Sequence, residues 1–485
     1  MLLIRQTLLY LPAQLLGPLC QFAAAVGWTH YLAPADYGVL AYIMAAQDLT
    51  LILSLQWWSM FTARFVRRLE LSGSWEDFRQ TDFAIVLAAT LVQVMIAVLV
   101  LEWTNMLNPS LLCATALFFV TRGALVHYGE RARATERILV YSITQMASAV
   151  VGSLLTFPVL LYVSTRPEAL VWCLAVPQAI ALIVVARMLG VPTRIFRVDR
   201  DLIASALRYG MPLLLSWLCG WICVNGIRFV VERWEDLAAV GLVSVGWGLG
   251  IRLASVVSML GASAGLPRAI LHFESGDVDA AHAQVSNAGV LLVGLLAPAA
   301  AGVFMVAPQF TDVFVSENFR AVTYLVLPIA MLTAVIRSIR SHFLDQVTVL
   351  HERTMVILAI NVVDVVSGMV GCIAGMALGG LYWAVLGSLL GAVPSLCLSV
   401  VSARHFGLRL PVKEILRILL AVGAMVGGMR LLPPLSGVGG LAALILTGGV
   451  VYGLAMSALF FREIRASAAS RSSVSSAKGA ATPLS

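Results

Sequence analysis

The sequence has little charge for its length. Only 12% of its 485 residues are Asp, Glu, Lys or Arg, whereas 60% are hydrophobic. Soluble domains carry roughly 25% charged residues, and so apolar a chain could not cover a water-exposed surface with polar groups. The composition therefore excludes an ordinary soluble protein, and lipid is the expected solvent.

Several signatures of chemistry are also missing. The seven cysteines show no C-x-x-C spacing, so neither a disulfide framework nor a metal site is predicted. No Ser/His/Asp, paired-carboxylate or His-rich arrangement supports hydrolysis. We therefore predict no catalytic residue, no metal, no cofactor and no enzymatic activity.

The basic residues are scattered between apolar segments. Thirty of the 32 are Arg, and the net charge is +7. A nucleic-acid surface would cluster them on one face, so nucleic acid is not a predicted partner. Their distribution is better explained by membrane topology.

Apolar runs of about 20 residues, the length that crosses the hydrocarbon core, recur along the chain. We predict an all-α polytopic membrane protein with about fourteen transmembrane helices. The predicted spans are 7–31, 38–62, 82–103, 109–130, 138–163, 169–189, 209–231, 238–263, 286–308, 321–343, 354–377, 381–402, 414–433 and 438–461.

The loops predict an orientation. With the N-terminus in the cytoplasm, 25 basic residues fall on the inner side and five on the outer side, and two, Arg122 and Arg252, lie within spans. Positive residues favour the cytoplasmic side, so both termini are predicted to be cytoplasmic. The Ser- and Ala-rich tail, 466–485, is predicted to be disordered.

The two halves of the chain begin alike. Tyr10-Leu-Pro opens the first span and Tyr209-Gly-Met-Pro opens the seventh, while Tyr37-Gly38 and Val240-Gly241 open the second and eighth. Parallel repeats of this kind are related by an axis along the membrane normal. We predict two six-helix lobes, 1–200 and 201–410, followed by an extra helix pair, 411–465.

Five segments carry a resemblance to a known family. They are His30–Gly38 between the first two spans, Tyr209–Ser216, Ala239–Leu242, Phe314–Arg320 and Gly379–Ala384. In this order and at these span positions, the chain resembles the oligosaccharide flippases (Wzx-type) of the multidrug/oligosaccharidyl-lipid/polysaccharide (MOP) exporter superfamily.

The resemblance implies a function. It implies two lobes arranged as a V around a central cavity in the bacterial inner membrane, working by alternating access. It implies a substrate that is an oligosaccharide on a polyprenyl diphosphate carrier, for polysaccharide biosynthesis such as exopolysaccharide, capsule or O-antigen. Membrane lipids, a polysaccharide polymerase and export machinery are the expected partners.

Ionisable residues inside spans mark candidate sites because an unpaired charge in lipid is costly. Asp48 and Arg252 lie at nearly equivalent depths in the second and eighth spans, which line the cavity in the family. Arg252 is expected to bind a diphosphate, since the planar guanidinium can contact it with two hydrogen bonds. The alternative is that Asp48 and Arg252 form a structural ion pair.

Other polar residues extend this substrate site. Arg228 and Asn225 lie near the outer end of the seventh span, where Arg228 could instead extend to the membrane interface. Gln14 in the first span and Gln47 in the second could face the same cavity. All four are candidate substrate-binding residues.

Two further groups have less specific interpretations. Arg122, His127 and Glu130 share the inner half of the fourth span and are predicted to form a structural cluster. Asp364 and Asn361, three residues apart, could couple transport to an ion, or could simply hydrogen-bond between helices. Trp57 and Trp58 are expected to be interfacial anchors.

Three rival functions remain. A multidrug cation antiporter of the same superfamily would favour carboxylates and aromatic side chains at its site. Only Asp48 and Asp364 are candidates for such carboxylates. A lipid II flippase is a near neighbour of the preferred function. A membrane glycosyltransferase, polymerase or ligase usually needs a long extracytoplasmic loop, and every predicted outer loop is short.

Overall fold

The protein is helical throughout the part of the chain that the computed structural model describes, residues 16–71, 73–192, 194, 197–262, 266–433 and 436–461. No strand occurs in these ranges. Twelve helices within them are long and apolar enough to cross a membrane. The prediction of an all-α, multi-pass membrane protein is confirmed.

The described ranges contain fifteen helices, numbered here α1 to α15. Their bounds, in chain order, are Leu16–Trp28, Pro34–Leu71, Trp75–Trp103, Pro109–Ala134, Ile138–Tyr162, Pro167–Leu189, Arg200–Trp234, Leu237–Ala262, Leu266–Glu274, Val278–Phe314, Glu317–Leu350, Thr354–Gly379, Leu381–His405, Val412–Arg430 and Gly437–Leu459.

Each predicted span overlaps one of these helices. The first is represented by α1, since the residues before Leu16, including Gln14, lie outside the described residues. The thirteenth is α14, a 19-residue helix that carries three charges near its start and is not among the twelve apolar spans. The short helix α9, which joins the eighth and ninth spans, was not predicted.

The helices begin and end at residues suited to those positions. Proline opens α2, α4 and α6, where its missing N–H costs no intrahelical bond. The side chain of Asn108 accepts a hydrogen bond from the backbone N–H of Ser110 at 3.0 Å and caps α4. Gly190 ends α6 in the left-handed conformation, φ 61°.

Helix α3 shows how the helices are adapted to lipid. Leu87, Leu91, Met95 and Leu99 follow one another at helical spacing and are all exposed. The opposite face is buried and contains polar side chains, including Gln93. A water-soluble helix has the reverse arrangement, so the apolar stripe is the surface that α3 presents to lipid.

The chain folds into two compact units. The first comprises the described residues of Met1–Arg252 together with Phe314–Ala330 and Met355–Ser395. One of its cores is rich in aromatic side chains, including Trp58, Phe78 and Tyr128. The second unit comprises Leu253–Val313, Met331–Thr354 and the described residues of Leu396–Ser485, and its core includes Val285, Leu292 and Phe343.

Three of the fifteen helices in the described ranges contain a π-helical turn. The turns are Ile52–Gln56 in α2, Ala147–Gly152 in α5 and Arg340–Leu344 in α11. A π turn leaves a local mismatch in the backbone hydrogen bonds and often lies at a functional site. The turn in α2 directly follows the segment that forms the candidate site.

Candidate functional site: a cationic cavity

A cavity of about 310 Å³ lies within the first unit. It is lined by α1, α2 and α4 to α8. The polar and aromatic side chains that line it are Gln21, Trp28, Tyr37, Gln47, Asp48, Phe118, Arg122, Ser148, Ser153, Asn225, Arg228, Ser244 and Arg252.

Three guanidinium groups and one carboxylate face this space. Asp48 on α2 interacts electrostatically with Arg122, Arg228 and Arg252, and Arg228 and Arg252 repel each other. Asp48 is enclosed by helices, yet its side chain is exposed because it borders the cavity. With all four groups ionised, they contribute a net charge of +2 to the cavity wall.

The three arginines differ in how they are held. Arg228 donates hydrogen bonds to the hydroxyl of Ser244, at 3.1 Å, and to the side-chain oxygen of Asn225. Within the described ranges, no hydrogen bond or ion pair engages the guanidinium of Arg122 or of Arg252. Their N–H donors are available to an anion, which a guanidinium can bind with two parallel hydrogen bonds.

Five of the six predicted substrate residues line this cavity, and the sixth, Gln14, lies outside the described residues. Arg252, Arg228, Asp48, Gln47 and Asn225 all line it. Asp48 and Arg252 interact only at electrostatic range, and no salt bridge or side-chain hydrogen bond joins either of them to another described residue. The structure brings these side chains together, and their role in binding stays a prediction.

Arg122, His127 and Glu130 do not form one cluster. Arg122 lines the cavity, and Glu130 pairs with Arg133 at 2.6 Å. His127 is fully buried among residues of α2 and α3. Sequence spacing identified the shared helix but not the neighbouring helices, so it missed Arg122 as a cavity residue.

His127 belongs to a buried group that we call the Asp82 cluster: Trp58, Ser59, Asp82, His127 and Arg131. The carboxylate of Asp82 accepts hydrogen bonds from Trp58 Nε1 at 2.7 Å, His127 Nε2 at 2.8 Å and Arg131 at 2.9 Å. Ser59 Oγ lies 3.0 Å from His127 Nδ1. Every side chain in the cluster is at most 2% exposed, so Trp58 is a core residue and its prediction as an interfacial anchor was wrong.

Asp364 and Asn361 lie on α12, away from the cavity lining. Asp364 is buried and Asn361 half-buried, and both make polar or electrostatic interactions. Within the described ranges, no group of three or more His, Cys, Asp or Glu could hold a metal ion. Ion coupling through this pair stays a prediction.

One end of the cavity is bounded by a close crossing of α2 and α8. A Cβ atom added to Gly38 would lie 1.8 Å from the carbonyl oxygen of Leu237, and one added to Gly241 would lie 1.9 Å from that of Pro34. Only glycine permits this approach. The two glycines occupy matching positions in the sequence repeat.

Segments that carry the family resemblance meet beside this crossing. His30 Nε2 lies 2.9 Å from the carbonyl oxygen of Phe314, and the hydroxyl of Thr29 accepts from the backbone N–H of Ser316 at 3.2 Å. The rings of Tyr37 and Phe319 pack at 5.6 Å. In His30–Gly38, Ala239–Leu242 and Phe314–Arg320 the motif residues therefore have a structural role: they hold together the end of the bundle at which α2 meets α8.

Beyond the other end of the cavity, α2 packs on α7. A Cβ atom added to Gly210 would lie 2.5 Å from the carbonyl oxygen of Trp57. The ring of Tyr209 lies 5.4 Å from that of Phe65 and 5.7 Å from the guanidinium of Arg64. Helix α2 thus takes part in a close contact on either side of Asp48.

Solved structures share this fold. A multidrug resistance MATE family transporter of the MOP superfamily, in an inward-facing conformation, matches with a TM-score of 0.55 over 83% of this chain and 96% of that chain, at 15% identity. A mutant of the Vibrio cholerae MATE transporter VcmN matches with a TM-score of 0.56 over 82% of this chain and 95% of that chain, at 13% identity. The chain therefore has the fold of the MOP-superfamily transporters.

The similarity to a lipid II flippase extends further. The structure of MurJ in an inward closed conformation matches with a TM-score of 0.74 over 95% of this chain and 100% of that chain, at 14% identity. No protein-family model and no curated protein sequence matches the chain. At these identities the comparisons establish the fold, and the substrate must be argued from the cavity.

Proposed function

We propose that this protein moves a polyprenyl-diphosphate-linked oligosaccharide from the cytoplasmic to the periplasmic leaflet of the bacterial inner membrane. The observation that carries the proposal is the cavity with three arginines, two of which have no hydrogen bond or salt bridge to another described residue. A diphosphate supplies negative charge and oxygen acceptors for these guanidinium donors.

The charge balance disfavours the multidrug cation antiporter. An organic cation would approach three positive groups and one negative group, and desolvation inside the bundle strengthens the repulsion. Asp48, the cavity's carboxylate, already lies in the field of all three arginines. A cation would have to compete with them for it.

The two contacts of α2 suggest how the substrate passes. We propose that the two six-helix lobes, 1–200 and 201–410, rock so that the Gly38–Gly241 crossing and the Trp57–Gly210 contact open alternately. In the orientation favoured by the basic loops, with both termini cytoplasmic, the Trp57–Gly210 contact is on the cytoplasmic side. The saccharide is then shielded from the hydrocarbon while the arginines neutralise its diphosphate.

Lipid II is a second candidate substrate. The match to MurJ covers 95% of the chain, and the matches to the MATE transporters cover 82–83%. Lipid II carries the same kind of diphosphate, so the cavity cannot separate it from a polysaccharide precursor. A polymerase and export machinery as partners belong to the first candidate only.

The test uses purified protein in proteoliposomes with two fluorescent probes, an undecaprenyl-diphosphate disaccharide and lipid II. A membrane-impermeant quencher reports how much probe has crossed. We expect Arg252→Ala to abolish most of the transport, and Arg68→Ala, an exposed arginine at the end of α2, to leave it unchanged. Normal transport by folded Arg252→Ala protein would refute the proposed role of the cavity, and the faster probe identifies the substrate.

A further inference from the structure

The hydroxyl of Ser59 lies between two acceptors. Its oxygen is 3.0 Å from Nδ1 of His127 and 3.1 Å from the carbonyl oxygen of Leu55. A hydroxyl has one hydrogen and can donate only one such bond at a time. Which acceptor receives it depends on whether His127 Nδ1 has a lone pair or a proton.

The hydrogen bond of the other ring nitrogen, Nε2, determines which of these two acceptors the Ser59 hydroxyl uses in each charge state of His127. His127 Nε2 lies 2.8 Å from the carboxylate of Asp82, so it carries a hydrogen. In the neutral ring Nδ1 is then an acceptor, and Ser59 donates to it. When a proton from water binds Nδ1, His127 donates to the Ser59 oxygen instead, and the Ser59 hydrogen turns to Leu55.

Leu55 lies in the π turn of α2, Ile52–Gln56. This turn joins the segment that carries Asp48 to the segment that begins with Trp57, whose backbone packs against Gly210. An added or lost hydrogen bond at Leu55 therefore acts on the part of α2 that connects the cavity to its contact with α7.

The surroundings of His127 contain few charged groups. Among the described residues, the charged and titratable side chains of this core are Asp82 from α3, Arg131 and Tyr128 from α4 itself, Tyr141 from α5 and, packed against it from α7, Tyr209. From α2 the cluster receives the neutral Trp58 and Ser59, and α6 contributes apolar side chains to the same core. Histidine is the residue among these that ordinarily gains and loses a proton near neutral pH.

We propose that His127 is a proton-binding site whose charge state is transmitted through Ser59 to the Leu55 carbonyl. Buried carboxylate and histidine chains inside membrane helices commonly serve as proton relays. The relay couples proton binding to the hydrogen bonding of α2 beside the cavity. That this coupling drives transport rests on the proposed function, whereas the hydrogen-bond switch does not.

The sequence permits a selective measurement. Leu55-Gln56 is the sole Leu-Gln pair in the chain, so protein labelled with carbonyl-¹³C leucine and ¹⁵N glutamine gives one carbon–nitrogen correlation, from the Leu55 carbonyl. A second sample carries ¹⁵N histidine, and the ring signal missing in His127→Gln is that of His127. Both are recorded in lipid vesicles by solid-state NMR between pH 5 and 9.

The switch makes a specific prediction for each variant. In the wild type, the Leu55 carbonyl and the His127 ring signals should shift with the same midpoint. In Ser59→Ala the ring should still titrate while the Leu55 carbonyl no longer responds, and in His127→Gln the carbonyl should be constant. His405→Gln, at an exposed histidine of α13, should behave as wild type. A His127 ring that never changes charge, or a wild-type Leu55 signal independent of pH, would overturn the proposal.

Transport provides a separate arm, with the undecaprenyl-diphosphate disaccharide as the probe. If one proton is coupled to each cycle, a gradient of one pH unit changes the final distribution of the probe by about tenfold. This response should disappear in His127→Gln and persist in His405→Gln. If the probe shows the same gradient response in His127→Gln as in the wild type, the coupling is refuted. If the wild type does not move the probe at all, the proposed function is refuted, and the hydrogen-bond switch is then tested by the NMR result alone.

Discussion

Two groups of charged side chains lie on the same helices of the first unit and differ in how their charges are balanced. Helix α2 carries Asp48 in the cavity and Trp58 in the Asp82 cluster, and α4 carries Arg122 in the cavity and Arg131 in the cluster. In the cluster one carboxylate accepts three hydrogen bonds. In the cavity one carboxylate faces three arginines without contacting them.

The difference separates two uses of charge in a membrane protein. A buried ion pair whose donors are satisfied positions helices, and removing one partner leaves an uncompensated charge. A charge that borders a cavity keeps its donors for a ligand. Apart from the pH response proposed for His127, we therefore expect substitutions in the cluster to affect stability, and substitutions in the cavity to affect binding and transport.

The largest expected effect is on stability, for Asp82→Asn. This change leaves Arg131 buried without its counter-charge, and breaking a buried pair in this way costs about 3–5 kcal/mol. The free energy of unfolding in mixed detergent micelles measures it. Asp48→Asn is the matched control, expected to cost less than about 1 kcal/mol because Asp48 forms no close ion pair among the described residues. Equal losses of unfolding free energy in the two variants would contradict the difference between the cluster and the cavity.

The next effect is on transport, for Arg122→Ala and Arg252→Ala. Losing charged hydrogen bonds to a substrate costs about 1.5–3 kcal/mol each, a decrease of roughly 10- to 100-fold in binding. Titration with inorganic pyrophosphate and the transport assay measure it. Since neither guanidinium forms a hydrogen bond or salt bridge with a described residue, neither variant should unfold more easily than wild type. A clear loss of stability would show that these arginines, like the Asp82 cluster, stabilise the fold.

Asp48→Asn should strengthen anion binding. Removing the carboxylate leaves three arginines facing the cavity and raises the wall's net charge from +2 to +3. A change of about 1–2 kcal/mol corresponds to roughly 5- to 30-fold tighter binding of pyrophosphate. The effect should shrink as salt increases, and weaker binding by the variant would mean that Asp48 positions the arginines instead of opposing their ligand.

The smallest expected effect is that of Trp58→Phe. The aromatic ring is kept, but the Nε1–H that donates to Asp82 is lost, which costs about 1 kcal/mol. Unfolding measurements in the same micelles detect it. Transport per folded molecule should be unchanged, because Trp58 does not line the cavity.

The helical fold and much of the cavity were predictable because membrane insertion imposes strong rules. Charge within a span marked Asp48, Arg122 and Arg252, and a position near the outer end of the seventh span marked Arg228; all four line the cavity. A charged residue in a membrane helix must find a partner or a polar space, and its position in the sequence is enough to raise the question.

Lateral packing was not predictable from spacing. Asp82 is the first residue of the third predicted span, 82–103, but α3 begins at Trp75, so Asp82 lies well inside the helix. There it meets His127 and Arg131 of α4. The predicted grouping of His127 with Arg122 and Glu130 rested on the spacing within that one helix. Partners on other helices leave no periodic signal in a single sequence.

The crossing at Gly38 and Gly241 has a consequence for motion. Where these two helices touch, neither glycine has a side chain, and each backbone lies against a carbonyl of the other helix. Neither glycine inserts a side chain between residues of the other helix, so the two helices can separate at this point without a change of side-chain rotamer there. Tight sealing and easy release, which usually oppose each other, are compatible at such a joint.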